Sequence, residues 1–255
     1  MSRRTCRGLI AGLGVAALTL LPSASASASH STSLPRKEQS SKTCSHPLAP
    51  VALVGSNELI TVVGASLGAA TGELRLYQRK GGCFEETGGP FPAELGVGGL
   101  SVDHHEGDGT TPAGLFGFAP VMYGALADPG LAYSYRRLVC GDWWDEDARS
   151  PAYNQFVQLP CGATPSFGGG SEALWRTLPA YDYFAVINYN AAPVVKGRGS
   201  AIFLHVSTGA PTIGCVSLPA AALLLVLRSL SPAMHPLIAI GTAATLATLR
   251  ARQNL

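Results

Sequence analysis

Ser200-Ala-Ile-Phe-Leu-His205, followed by Pro211-Thr-Ile-Gly-Cys-Val-Ser-Leu-Pro219, is the stretch from which the rest of the chain can be read. The first run is apolar up to its last residue and fits a buried strand that delivers His205 at its end. Ten residues later Cys215 stands behind Gly214, shortly before a proline that opens a helical run. A thiol attacks only as thiolate, and a free one with a pKa near ~8.5 is mostly protonated at neutral pH. A nearby imidazole, or the positive end of a helix, lowers that pKa. Both are offered here, so the segment predicts a cysteine nucleophile used for acyl transfer, with His205 as its general base and acid and the amides of Gly214 and Cys215 as oxyanion donors.

Working outward, short strand-like runs dominate. They are 59–63, 73–77, 115–118, 153–159, 183–189, 201–206 and 237–240, and Lys80-Gly-Gly82 reads as a hairpin turn toward Cys83-Phe84. The 30 glycines and 18 prolines supply the intervening turns. Residues 219–230 fit one buried helix that begins with proline and ends before Pro232. Residues 171–178 read as a short second one with Ser171 as cap. The expected fold is mainly β: a single β-sandwich or barrel domain with one or two helices.

The N-terminus predicts export. Arg3, Arg4 and Arg7 precede an apolar run from Leu9 to Leu21, and Ser23 to Ser29 alternates small residues, the order of a secretory signal peptide over residues 1–28. The run is shorter than the ~20 residues of a membrane span, and no later segment reads as one. Removing the signal takes three of the 18 Lys+Arg against 16 Asp+Glu, so the formal +2 becomes −1 and a nucleic-acid partner has no electrostatic basis. Residues 29–57 read as a disordered leader, 58–241 as the domain and 242–255 as a tail.

Cysteine usage agrees with an oxidising compartment. Cys6 leaves with the signal, so Cys44, Cys83, Cys140, Cys161 and Cys215 remain, an odd number that leaves one thiol unpaired. Four cysteines allow three pairings; Cys140–Cys161 and Cys44–Cys83 are favoured, and Cys215 is the free one.

Other chemistry is sparse. Glu106-Gly-Asp-Gly-Thr-Thr-Pro-Ala-Gly114 lacks the ligand spacing of an EF-hand and reads as a solvated structural turn, with Glu106 and Asp108 facing water. His104 and His105 are adjacent and would point apart, no H-E-x-x-H occurs, and no phosphate-binding glycine loop is present, so neither metal nor cofactor is expected. Trp143-Trp144, among Asp142, Asp145, Glu146 and Asp147, allows two readings. The loop contacts a cationic diamino acid or a sugar, in which case Trp144→Ala raises KM; or the indoles pack inward and the acids face water, in which case the variant lowers the melting temperature.

The joint occurrence of Glu106 to Phe116, Tyr189-Asn190, Phe203-Leu-His205 and Thr212-Ile-Gly-Cys215 resembles the catalytic domain of the L,D-transpeptidase (YkuD, ErfK/YbiS/YcfS/YnhG) family, over about residues 58–241. The likeness is greatest to secreted actinobacterial members with a stretch like Cys140 to Asp147. The resemblance implies a YkuD-like fold and a secreted, wall-associated, monomeric acyltransferase acting on peptidoglycan stem peptides. Cys215 would attack the bond before the terminal D-alanine of a tetrapeptide stem, and the acyl group would pass from the thioester to a second stem's diamino acid as a 3→3 cross-link. Cys215 and His205 match the family's nucleophile and histidine, and Thr212, Asn190 and Trp144 become substrate-binding candidates. Ile213 stands where many members have a second histidine, Ser217 where many have arginine or asparagine, and Val206 where glycine is usual; the His-to-Cys spacing is also shorter. Lys196, Arg198 or Arg176 would have to supply the missing cation. An L,D-carboxypeptidase, a protein-anchoring acyltransferase and a non-catalytic wall-binding module are the alternatives.

Overall fold

The computed structural model describes residues 55–253. The expectations for the signal peptide, for most of the leader and for Cys44 lie outside the described residues. The leader boundary moves: Ser56 is already buried, and the Asn57 amide donates to Met234 O, so order begins before residue 58.

Fifteen strands and two α-helices follow in chain order: β1 (Glu58–Gly64), β2 (Thr71–Lys80), β3 (Cys83–Glu94), β4 (Leu100–Ser101), β5 (Thr111–Pro112), β6 (Gly114–Phe116), β7 (Phe118–Gly124), β8 (Ser134–Arg137), β9 (Asp142–Asp145), β10 (Gln155–Gln158), β11 (Glu172–Ala173), β12 (Phe184–Ile187), β13 (Phe203–Val206), β14 (Val216–Leu218), α1 (Ala220–Ser229), β15 (Leu237–Gly241) and α2 (Ala243–Gln253). Ten strands form one sheet in the order β6-β15-β1-β2-β3-β14-β13-β12-β7-β8. Only Gly117 separates β6 from β7, yet β6 is at one edge and β7 next to the other. Consecutive residues are tied within a few ångströms, so the sheet has to curl until its ends approach. The result is the mainly β architecture expected from the sequence, with helices laid on a curled sheet.

The expected hairpin is present: Lys80 pairs with Cys83 across Gly81-Gly82. The expected helix 219–230 is α1, which buries Leu223, Val226 and Leu227, an i, i+3, i+4 stripe, against β13 and β14. The second helix expected over 171–178 is not formed as such. Glu172 and Ala173 form β11 and pair with Trp144 and Trp143 of β9; only a 3₁₀ turn follows at Leu174–Arg176, without a side-chain cap. Strand pairing outweighs the local helical preference there. The supposed tail holds α2, whose Leu246 is buried with Leu59, Tyr77 and Phe84.

Two layers of core meet at β13. Leu204 and Val206 point into the main cluster with Val216 and Leu218, whereas Phe203 points the other way, among Trp144, Tyr181 and Phe184. That second face also carries His205, as the alternation of a strand requires. Trp144 and its neighbours reach it from a three-stranded sheet, β10-β9-β11, whose β9 and β10 lie within the loop closed by the Cys140–Cys161 disulfide. Cys83 is disulfide-bonded as well. Among the described residues, no helix is long and apolar enough to cross a membrane.

Cys140 and Cys161 are 21 residues apart. Opening a loop of that length lifts a constraint on the unfolded chain worth about 3 kcal/mol. A Cys140→Ser, Cys161→Ser double variant is therefore expected to melt lower by on the order of 10 °C in differential scanning calorimetry.

Candidate active site

The nucleophile candidate sits where residues 207–215 return the chain from the end of β13 to the start of β14. The two strands lie side by side and parallel, with His205 opposite Ser217. Since Cys215 and Ser217 alternate with Val216, both lie on the His205 face. The returning loop is held by its backbone: the Thr212 amide donates to Leu95 O, and the Val97 amide donates to Thr212 O.

Two hydroxyls then fix Cys215. Thr212 Oγ1 donates to the Cys215 carbonyl at 2.7 Å, and Thr111 Oγ1 donates to it at 3.2 Å. Beneath them runs the Glu106–Phe116 segment. A methyl group on Gly96 would lie 2.3 Å from Gly109 O, and one on Gly214 would lie 3.0 Å from Thr110 O; Gly214 also has φ +135°. Glycine is required at both positions by close approach. The Gly214 amide donates to Thr212 Oγ1 at 3.2 Å, so of the two expected oxyanion donors the Cys215 amide is the one left over.

Cys215 is the free cysteine among the described residues and is partly exposed. It lines a cavity of about 500 Å³ together with His205 and Thr212, a size suited to a peptide fragment. Its thiol donates to Ala201 O at 3.2 Å and accepts from the Phe203 amide at 3.3 Å. Among the described residues its bonds are to these backbone groups rather than to His205, so a turn of the side chain has to precede proton transfer. Catalytic hydrogen bonds commonly tighten only when substrate is present.

His205 is buried, its Nδ1 lies 2.8 Å from Val206 O, and the Tyr181 ring meets it edge to face at 5.8 Å. A carbonyl only accepts, so Nδ1 carries the proton and Nε2 keeps the lone pair that a general base needs. Burial lowers the His205 pKa, opposed by the Val206 bond and by Glu94, so the imidazole is neutral at pH 7. Glu94 also accepts from Ser217 Oγ at 2.7 Å, which gives Ser217 a structural role. Burial first, and then the charge on Glu172, pushes the Cys215 thiol well above its ordinary pKa despite the Phe203 amide. Without a ligand the pair is therefore neutral thiol and neutral imidazole.

Three acidic side chains share the cavity wall: Glu106, Glu146 and Glu172. Glu106 is not a solvated turn residue, because it accepts from Tyr153 Oη and from Ser200 Oγ. Asp108 does organise the turn, accepting from the His105 and Thr110 amides at 2.8 Å and lying 2.9 Å from His104 Nδ1. His104 is buried and lines the cavity, whereas His105 is exposed, as their adjacency predicts. Tyr181 Oη donates to Glu172. Burial, then Glu172, Glu106 and Asp145, raise the Glu146 pKa to about 9.

Other sequence candidates fall elsewhere. Asn190 does not line the cavity; its amide group donates to Val195 O and Gly199 O and accepts from the Val195 amide, clamping a loop. Trp144 is buried, donates Nε1–H to Asn154 and stands edge-on to Phe203, which decides for packing. Of the neighbouring acids, Asp142 and Asp145 are fully buried and hydrogen-bonded rather than facing water. The suggested cations do not enter the cavity: Arg198 binds Asp103, Lys196 donates to Arg149 O and Arg176 lies over Trp175. Thr111, His104, Glu94, Tyr181, Glu146 and Glu172 are the site neighbours that sequence reasoning did not assign. Thr111 and Glu146 carried a sequence signal only as members of the Glu106–Phe116 and Asp142–Asp147 stretches, and His104, Glu94, Tyr181 and Glu172 lie outside both.

No protein-family model, curated protein or solved structure matches the chain. Function rests on the residues themselves.

Two outcomes follow for stability. Trp144→Ala leaves a hole beside Phe203 and is expected to cost about 3–5 kcal/mol, read as a lower urea midpoint. Glu146 has a folded pKa raised above its unfolded one, so its contribution is greatest below pH 4.5 and is lost as pH rises toward 9. Glu146→Gln is therefore expected to raise the melting temperature, by a margin that grows from pH 5 to pH 9.

Proposed function

We propose that the chain is a secreted cysteine acyltransferase of the L,D-transpeptidase type, acting on peptidoglycan tetrapeptide stems. The observation that carries this reading is the placement of Cys215 and His205 on one face of paired strands, lining one cavity, with the Nε2 lone pair of His205 available. The Cys140–Cys161 disulfide supports an oxidising compartment outside the cytosol.

In the forward half-reaction the thiol proton passes to His205 Nε2 as Sγ bonds to the carbonyl carbon before the terminal D-alanine. The C–N bond then breaks, and the leaving amine takes the proton from His205. In the second half an acceptor amine bonds to the thioester carbon, the S–C bond breaks, and the proton lost by the amine returns through His205 to sulfur. The Cys215 amide is placed to donate to the oxyanion in both halves. Hydrolysis, giving an L,D-carboxypeptidase, uses the same first half with water as acceptor, and a protein amine as acceptor gives an anchoring enzyme.

One observation favours a non-catalytic wall-binding module: burial and Glu172 hold Cys215 protonated. The two readings separate on the purified mature protein incubated with a disaccharide-tetrapeptide and read by mass spectrometry. Loss of D-alanine with a 3→3 dimer is expected. Cys215→Ala is expected to lower it by at least about 10³-fold and His205→Gln by about 10²–10⁴-fold. Loss of D-alanine without dimer moves the assignment to a hydrolase or another acceptor, and no turnover with the thiol intact overturns catalysis on this substrate.

A further inference from the structure

The wall opposite the nucleophile is acidic and unbalanced. Glu106, Glu146 and Glu172 line the cavity, and among the described residues no lysine or arginine does. Two of the three are provided for, Glu106 by Tyr153 and Ser200, and Glu172 by Tyr181. Glu146 is not. Its Oε1 is buried and has no hydrogen-bond partner among the described residues. Its neighbours differ: Asp145 accepts from the Asp147 amide and Ser150 Oγ, and Asp147 accepts from Arg149 and the Gly168 amide. A buried acceptor left unmade is costly, and folding has not relieved it here although Ser171 lies close enough to bond the Glu146 amide.

A proton or a cation relieves such an oxygen. Among the described residues no three His, Cys, Asp or Glu side chains converge as metal ligands, which disfavours a metal ion. The carboxylates reach the cavity from separate segments: the loop before β5, the end of β9 and β11. Carboxylates spread over several sides of one cavity suit the three diverging N–H donors of an ammonium better than the planar fork of a guanidinium.

We propose that Glu146, with Glu172 beside it, seats a primary alkylammonium group of the reactant and so selects cationic reactants at Cys215. This assignment rests on the acyl-transfer reading, in which the ammonium belongs to the diamino acid of a stem peptide. The consequence reaches the nucleophile. After burial, the charge of Glu172 holds the Cys215 thiol protonated, so a seated cation favours thiolate. Glu146 itself is held protonated by burial and by Glu172, Glu106 and Asp145, so seating a cation expels its proton and strengthens as pH rises toward 9.

The test labels the Cys215 thiol with 2-aminoethyl methanethiosulfonate and with its anionic 2-sulfonatoethyl analogue. Each rate is divided by that reagent's rate with free glutathione, and the Cys215 adduct is identified by mass spectrometry. The normalised cation-to-anion ratio is expected to be about tenfold or more, as charged clefts concentrate counter-ions, and to rise from pH 7 to pH 9. In Glu146→Gln the pH dependence is lost, and in the Glu146→Gln, Glu172→Gln double variant the ratio falls to within about twofold of unity. Glutamine at 172 still accepts from Tyr181, and thermal melts verify folding. A ratio near one in the unmutated protein, or one that neither variant changes, overturns the seat. Charge selectivity that persists while no Cys215-dependent release of D-alanine occurs sinks the transpeptidase reading and leaves the ammonium seat standing.

Discussion

The short return between β13 and β14 is the constraint on which the site depends. Parallel neighbours usually need a crossover of a dozen or more residues, often a helix, and here residues 207–215 make the whole connection. So short a loop has no room for a packed element, and it is stabilised by borrowing partners. Thr212 bridges to Leu95 and Val97, and Thr111 and Thr212 both bond the Cys215 carbonyl. The borrowing explains why a glycine-rich segment lies underneath: Gly96 passes Gly109 and Thr110 at a separation that excludes a β-carbon. Helix α1 closes the arrangement from the other face, with Leu223, Val226 and Leu227 buried against the same two strands. Cys215 is thus a loop residue held by core elements, combining accessibility with a fixed backbone.

The electrostatics run opposite to those of a pre-activated thiol. A low-pKa cysteine needs a cation, a helix N-terminus or an imidazolium beside it. Cys215 instead has two backbone partners, a neutral imidazole on its face and acids across the cavity. Such a site is quiet until something positive enters. On the proposed reading selectivity and activation are then one event, and a resting thiol is less exposed to oxidation, because oxidation follows thiolate character. The burial of Glu146 beside other acids fits residues kept for function at a cost in stability.

What was legible in the sequence was local. The apolar run ending in His205, the Gly-Cys pair, the proline-started helix and the Gly81-Gly82 hairpin each carry their signal within a few residues, and all of these elements are present. The odd cysteine was legible by counting, with Cys140–Cys161 paired and Cys215 free. What failed depended on partners distant in the chain. Asn190 looked available because nothing nearby in sequence reveals that Val195 and Gly199 use its whole amide. Glu106 looked like a turn residue because Tyr153 and Ser200 lie 47 and 94 positions away. Residues 171–178 have ordinary helical composition, and it is the edge of β9 that makes Glu172 and Ala173 a strand.

The departures from the family pattern can now be weighed by what surrounds them. Ser217 takes the place of a fixed cation, and the structure gives it to Glu94, a carboxylate that would otherwise face His205 without a donor from β14. An arginine there would add a positive charge beside an imidazole that has to remain neutral to act as base. Ile213 is 82% exposed on the cavity rim, where a second histidine would bring another titrating group. On the proposed reading, an apolar rim above an acidic wall discriminates in two ways: it favours aliphatic groups, and it leaves recognition of charge to the carboxylates. On that reading, an alkyl chain ending in ammonium satisfies both surfaces. Ser217 and Ile213 are therefore consistent with one another on the proposed reading, because neither adds positive charge in or beside the acidic cavity.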